Sequence, residues 1–317
     1  MPHLLIAGKL HPAGLALLEG RDGYTHDYVE EVSEPSYAPL IGEADALLIR
    51  TQPLSLATIA LAPRLKIVSR HGVGYDAVDV ASLNKRRIPL CIVDDVNSLS
   101  VAEHAMMLIL ASAKRLVRAD RAVRAGPWGW RNALEAAEIS NKNLLIIGYG
   151  RAGRQLARMA QGFNMQTRAF DPFLVKQRWP GGPAIPVASL ADGIAWADVI
   201  SVHVPKAGRP ILGAEEFTQM KPGVIIVNTA RGGIVDEGAL RAALTEGQVG
   251  AAGLDVFDDE PPAKDHPLLA FDQIVLTPHI AGLTQQAAER MAVSCVQNVL
   301  DFFAGRLNAD LIVNKDF

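Results

Sequence analysis

Three residues with complementary chemistry each stand just after a separate apolar run in the last third of the chain. Arg231 follows the run from Gly223 to Ala230, Glu260 follows Gly253 to Asp259, and His279 follows Ile274 to Pro278. In an open parallel sheet, ligands collect in the crevice outside the carboxyl ends of the strands, so three strand ends can bring a cation, an acid and an imidazole to one place. That set suits the reduction of a 2-oxo acid. The guanidinium would fix the substrate's carboxylate, a protonated His279 would neutralise the charge that hydride attack builds on the carbonyl oxygen, and Glu260 would orient and stabilise the imidazolium. Singly, each residue has a plainer reading: a histidine after proline is often a satisfied buried side chain, and a lone glutamate a solvated carboxylate or helix cap.

Upstream lies Gly148-Tyr149-Gly150-Arg151-Ala152-Gly153. Glycines at this spacing also occur in ordinary turns, but here Asn143 to Ile147 reads as a strand before them and Arg154 to Ala160 as a helix after them. Gly148 would allow the tight turn, Gly150 would let backbone approach a pyrophosphate, and Gly153 would let helix and strand pack closely. Asp171 ends the next predicted strand; its carboxylate would accept hydrogen bonds from the adenosine-ribose hydroxyls of NAD and repel the extra phosphate of NADP. The plainer reading of Asp171 is a turn residue before Pro172.

The elements that must position these residues alternate along the chain as short apolar runs and helix-like segments, the pattern of parallel strand-helix-strand units. The first series of expected strands is His3 to Ala7, Asp45 to Ile49, Leu65 to Ser69 and Pro89 to Val93. The second is Asn143 to Ile147, Gln166 to Phe170, Asp198 to His203, Val224 to Asn228, Gly253 to Phe257 and Ile274 to Thr277. Two sheets are therefore expected. Ser100 with Glu103 matches a capping box opening the apolar helix between the series. The segment Arg124 to Arg131 carries Trp128 and Trp130, residue types enriched in interface hot spots, and suits a subunit contact or packing on its own domain. The helix-like stretch Gln285 to Phe303 is long enough to return to the first sheet.

With 317 residues, 49% hydrophobic and 21% charged, the chain has room for two cored domains and an ordinary globular balance. A formal net charge of -3 gives no electrostatic case for nucleic acid or an anionic membrane surface, and a small soluble ligand is expected. No apolar run is long enough to span a bilayer, and the start, Met1 to Ile6, lacks a basic region and cleavage signal. Cys91 and Cys295 both lie in apolar runs and are expected as buried reduced thiols, consistent with a cytoplasmic location. No metal site is expected.

The segments Asn228 to Asp236, Gly253 to Phe257 continuing to Glu260-Pro261, and Pro278 to Gly282 resemble those of the D-isomer-specific 2-hydroxyacid dehydrogenases, most closely the phosphoglycerate dehydrogenase subgroup. The resemblance covers essentially the full length. It implies two Rossmann-like or flavodoxin-like doubly wound domains, with an NAD-binding domain (98–284) inserted into a discontinuous substrate domain (1–97 with 285–317). It also implies a homodimer. Arg231, Glu260 and His279 match the family's catalytic arginine, glutamate and histidine, and Asp255 matches the aspartate that holds the nicotinamide carboxamide. Arg151 with Ala152, Asp171, Val204 with Pro205, Thr229 with Ala230, and Gly282 fall where the family contacts cofactor, as do Arg231 and His279. Arg70 to Asp76 matches the loop whose backbone amides at Gly72, Val73 and Gly74 meet the substrate carboxylate. The stretch Pro205 to Leu212 departs from the family's usual threonine-containing version. With no extension beyond Phe317, the serine-binding regulatory module of some phosphoglycerate dehydrogenases is expected to be absent.

Arg50 and Arg70 each close an expected strand of the first sheet, which would suit a second anionic group on the substrate such as phosphate; surface arginines without a ligand are the alternative. His71 would be a further polar lining residue. Hydroxypyruvate or glyoxylate is the simpler substrate. Two other functions use the same architecture: an NAD-sensing interaction module of the corepressor type, and a dehydrogenase of formate or another small anion.

Overall fold

A computed structural model describes residues 1–19, 21–126, 128–206 and 208–315. Gly20, Pro127, Ala207, Asp316 and Phe317 lie outside the described residues; Pro127 falls within the Arg124 to Arg131 segment and Ala207 within Pro205 to Leu212. The chain divides into two units, residues 1–97 with 283–317 and residues 98–282. Each is an α/β domain built on one parallel sheet.

The first domain contains β1 (His3–Ala7), β2 (Thr25–Val29), β3 (Ala46–Ile49), β4 (Ile67–Arg70) and β5 (Leu90–Cys91), in spatial order β2-β1-β3-β4-β5. This is the flavodoxin-like order. Strands β1, β3, β4 and β5 are largely buried on both faces, as parallel sheets require, and side-chain alternation sorts the residues into two layers. Leu4, Ile6, Leu48 and Ile67 pack on Met291, Cys295, Val296 and Val299 of the helix Gln285–Phe303. Leu5, Leu47, Ile49 and Val68 pack on Tyr37, Ile41, Ile59 and Leu83. Burial pushes the Cys91 and Cys295 thiols up to about 12, and both cysteines are free.

Two parts of this domain differ from expectation. Strand β2, Thr-His-Asp-Tyr-Val, sits at the sheet edge with no fully buried residue, so it carries no apolar run to betray it. The other edge is covered by the tail: Ile312 bridges Cys91 in antiparallel sense, and the Val313 amide donates to the Leu90 carbonyl. Asn314 is buried there; its Oδ1 accepts from the Leu90 amide at 2.6 Å and its Nδ2 donates to Asn84 Oδ1 and to the Ile88 carbonyl. Covering an edge in this way removes a template for unwanted strand pairing.

The second domain contains β6 (Asn143–Ile147), β7 (Gln166–Phe170), β8 (Ile185–Pro186), β9 (Val199–Val202), β10 (Val224–Asn228), β11 (Val249–Leu254) and β12 (Ile274–Leu276). The order is β12-β11-β10-β9-β6-β7-β8, which reverses at β6 and β9 as a dinucleotide-binding sheet does. Leu145 and Ile147 face one layer, and Leu144 and Ile146 the other, under the helices Ser98–Ala113 and Arg151–Gly162. The helix Ser98–Ala113 begins two residues earlier than the proposed capping box, so Ser100 and Glu103 lie inside it and the box does not form its start. Strand β11 runs through Val-Gly-Ala-Ala-Gly-Leu, upstream of the run expected from apolar content. Small residues are needed there because a Cβ on Gly253 would lie 2.7 Å from Leu108 Cβ. Among the described residues no helix is long and apolar enough to cross a membrane, and no group of three His, Cys, Asp or Glu side chains is arranged to hold a metal ion.

Candidate active site

The turn after β6 is closed by backbone contact. Gly148 has φ +94°, and a Cβ there would lie 2.5 Å from the His203 carbonyl oxygen and 2.7 Å from Val204 Cγ1. Gly153, in the first turn of the helix Arg151–Gly162, would carry its Cβ 2.3 Å from the Gly148 carbonyl oxygen. Gly150 is the N-cap of that helix, has no side-chain cap, and would point a Cβ into open space. The first-turn amides are therefore reachable, the arrangement by which helix N-termini bind phosphate. Arg151 and Pro205 are exposed, and Ala152 and Val204 half-buried.

Asp171 is the N-cap of the helix Pro172–Gln177 and also serves the glycine turn. One carboxylate oxygen accepts from the Leu174 amide and the other from the Tyr149 amide, both at 3.0 Å. An ionised carboxylate has about four acceptor positions, so this clamp leaves each oxygen able to accept a hydroxyl as well. Past β10, Thr229 is buried with its Oγ1 lacking a hydrogen-bond partner among the described residues. An orphaned hydroxyl of that kind calls for a polar ligand or water. These observations fit a dinucleotide.

The Arg231 turn is shaped by Asn228, whose Oδ1 accepts from the Ala230 amide and whose Nδ2 donates to the Arg231 carbonyl. Next to it Gly232 lies so close to the loop after β11 that a Cβ would sit 1.9 Å from the Phe257 carbonyl oxygen. That loop holds Glu260. Its Oε1 accepts from the Phe257 amide at 3.1 Å, and its Oε2 lies 2.6 Å from His279 Nδ1. Glu260 and His279 are thus in direct contact, and the Arg231 turn packs on the Glu260 loop at Gly232. The two paired side chains remain 36% and 48% exposed, open enough to meet a ligand. With Nδ1 engaged by the carboxylate, Nε2 is the ring nitrogen left for chemistry.

His279 itself has φ +53°, a left-handed conformation uncommon outside glycine. The loop around it is gathered onto Asp255, whose enclosed carboxylate accepts from Thr277 Oγ1 at 2.6 Å and from the Ile280 and Ala281 amides at 2.9 and 2.8 Å. His104 stands 2.9 Å from Thr277 Oγ1. Sequence reasoning passed over His104 and Thr277, because a histidine inside an apolar helix and a threonine ending a strand give no pattern until the fold joins them. Gly282 follows, half-buried.

In the first domain Arg50 and Arg70 follow and end the neighbouring strands β3 and β4, where Ile49 pairs with Arg70. Both guanidinium groups lie near His71, which is buried with neither ring nitrogen hydrogen-bonded among the described residues. Arg70 donates to the His71 carbonyl. Gly72 is buried, Gly74 half-buried and Val73 39% exposed. Burial first, then the charges of Arg50 and Arg70, depress the His71 imidazole to about 4.

That depression carries a sign. An unfolded histidine titrates near 6.5, so between about pH 6.5 and 4 the unfolded chain binds a proton that the native domain refuses. Stability is full above that window and falls as the pH drops through it, by at most about 1.4 kcal/mol per pH unit. His71→Gln should therefore show a flatter decline in urea midpoint between about pH 6.5 and 5 than the parent chain; equal slopes would mean that His71 is charged in the fold.

The model of the NAD-binding domain of D-isomer specific 2-hydroxyacid dehydrogenases matches residues 106–281. A D-3-phosphoglycerate dehydrogenase of Mycobacterium bovis is 38% identical over 315 residues, 98% of this chain and 59% of that protein. The chain thus spans about three-fifths of the length of that relative. A glyoxylate reductase of Korarchaeum cryptofilum is 33% identical over 322 residues, covering 98% of this chain and 96% of that protein. Among solved structures, the TT0316 protein of Thermus thermophilus superposes with a TM-score of 0.88 at 30% identity, over 97% of this chain and 98% of that one. With its glycine turn, its Glu260–His279 pair and these likenesses, the chain belongs to the D-isomer-specific 2-hydroxyacid dehydrogenase family, and residues 98–282 contain its NAD-binding domain.

Proposed function

We propose that this chain is an NAD-dependent oxidoreductase that interconverts a D-2-hydroxy acid and its 2-oxo acid, acting on the CH-OH group. The observation that carries the reading is the 2.6 Å contact of His279 with Glu260, in a domain whose Gly232 packing also fixes the Arg231 turn against the Glu260 loop. NAD, when bound, supplies the acceptor of the substrate's hydride in one direction and, reduced, its donor in the other. The chain's own groups do the rest. Gly148, Gly150, Arg151, Ala152 and Gly153 take the pyrophosphate, Asp171 the adenosine ribose, and Val204, Pro205, Thr229, Ala230 and Gly282 line the remaining nucleotide. Asp255, matched by the resemblance to the aspartate that holds the nicotinamide carboxamide, is enclosed with its carboxylate engaged by Thr277, Ile280 and Ala281, so it serves that end through the loop it orders.

Arg231 fixes the substrate carboxylate, and in the first domain the backbone of Gly72, Val73 and Gly74 is the candidate substrate contact. During reduction His279 Nε2 gives a proton to the carbonyl oxygen; during oxidation it takes that proton from the hydroxyl. Glu260 holds Nδ1 and stabilises the protonated ring. The dehydrogenase and reductase names of the relatives favour this reading over a sensing module or a formate dehydrogenase. Small 2-oxo and 2-hydroxy acids, and not nucleic acid or membrane, are then its partners, and buried reduced thiols suit the cytoplasm.

A second copy of the chain is the natural partner of the second domain. Met107, Leu116, Val117 and Phe163 are 39–55% exposed, and Met106, Leu110 and Met159 line a groove with three of them. Trp128 is 66% exposed nearby in sequence. Apolar surface of that kind marks an association site. Sedimentation should give a homodimer, and Leu116→Glu with Phe163→Glu should give a monomer; a monomeric parent chain would rule this out.

Screening reduced cofactor against small 2-oxo acids by absorbance tests the activity. His279→Ala should leave cofactor binding nearly intact and lower kcat about a hundredfold to ten-thousandfold, the usual contribution of a positioned acid or base. A near-parental rate would end the assignment. NAD should be used more efficiently than NADP, and Asp171→Ala should narrow the preference chiefly by weakening NAD; equal efficiencies in the parent chain would contradict the ribose role. Arg50 and Arg70, charged and adjacent, suit a doubly anionic substrate such as a phosphorylated or dicarboxylate 2-oxo acid. Arg50→Ala or Arg70→Ala should lower kcat/KM for such an acid more than for glyoxylate. An unchanged ratio at fixed ionic strength would make glyoxylate or hydroxypyruvate the better substrate class.

A further inference from the structure

We propose that His104 is a positioning residue for His279, acting through Thr277 and Asp255 to hold the backbone that presents the imidazole; the inference rests on the proposed role of His279. His104 belongs to the helix Ser98–Ala113, which packs beneath β11 and β12. Its Nε2 is 2.9 Å from Thr277 Oγ1 and 3.5 Å from Asp255 Oδ1. Thr277 donates its one hydroxyl proton to Asp255 Oδ1 at 2.6 Å. Its oxygen must therefore accept from His104, so the proton of the neutral ring resides on Nε2. Burial lowers the His104 imidazole and the Asp255 charge opposes that fall.

Asp255 transmits this order to the reacting residue. Its carbonyl accepts from the His279 amide at 2.8 Å, and its carboxylate from the Ile280 and Ala281 amides. Successive amides folded around one acidic residue form an anion nest, and His279 at φ +53° is the residue bent to make it. In another backbone conformation its ring would leave Glu260. Thr277 is thus the side-chain donor to a fully enclosed carboxylate, with His104 hydrogen-bonded behind it, and neither side chain needs to touch substrate for the chain of contacts to matter.

His104→Leu removes the donor and keeps bulk, whereas His104→Gln keeps a side-chain N–H. The leucine variant should lose about tenfold to a hundredfold in kcat, the scale of a misplaced reacting group, with substrate KM and NADH affinity within about twofold. Glutamine should restore most of the loss. In a His279→Ala background, His104→Leu should change kcat less than about twofold, since residues acting through one another are not additive. A structural role alone would instead add its full effect there.

Unchanged kcat in His104→Leu, beside an impaired His279→Ala, overturns the inference and leaves the proposed activity standing; a fully active His279→Ala removes the reading beneath it. A crystal structure of His104→Leu gives a readout independent of activity. Loss of the His279–Glu260 contact supports the proposal, and its retention with the same His279 backbone refutes it. If the leucine variant does not fold, Thr277→Val severs the same link from the other side and is judged by the same two outcomes.

Discussion

A carboxylate shut away from water persists as an anion only where the chain supplies donors to replace the solvent. Asp255 is enclosed completely, and its donors come from residues 277 to 281. The path of the chain after β12 is therefore dictated by a charge at the end of β11. The pairing of Leu254 with Leu276 sets the two within reach, and the Asp255 amide, donating to the Asn228 carbonyl, carries the link to β10. Asn228 in turn bends the Arg231 turn. Through its amide and its carboxylate, Asp255 thus links the loops that carry Arg231 and His279.

The two parallel sheets use their carboxyl ends for opposite electrostatics. In the second domain the acids Asp171, Asp255 and Glu260 are each clamped by backbone amides. In the first domain two guanidinium groups gather around an imidazole held neutral by burial and by their charge. Charges of like sign are costly to crowd together, so the arginine pair disfavours a proton on the buried His71 ring.

Most strands were legible because buried parallel strands are continuous apolar runs. Those that were not share a physical cause. Thr25–Val29 and Ile185–Pro186 lie at sheet edges with exposed faces, and β11 is built from glycine and alanine because a helix presses on it. The residue types and order of Arg231, Glu260 and His279 announced themselves, and the structure places the last two in contact. The support beneath them did not. His104 is 173 residues from Thr277, and only the folded sheet brings a helix residue and a strand end together. Asp171 shows the reverse: the sequence posed a turn residue against a ligand residue, and its carboxylate caps a helix while also facing the glycine turn.

The helix Gln285–Phe303 belongs to the first domain although 185 residues of the second precede it. During synthesis both sheets have all their strands before that helix emerges, but residues 98–282 are then a whole unit whereas the first 97 residues still lack the helix that belongs to theirs. Until it arrives, the layer formed by Leu4, Ile6, Leu48 and Ile67 lacks the side chains that cover it. Sequential domains would fold in the order in which they are made. Here the inserted domain can mature first, and the chain's amino-terminal sheet waits longest with an apolar face open to chaperones and to aggregation.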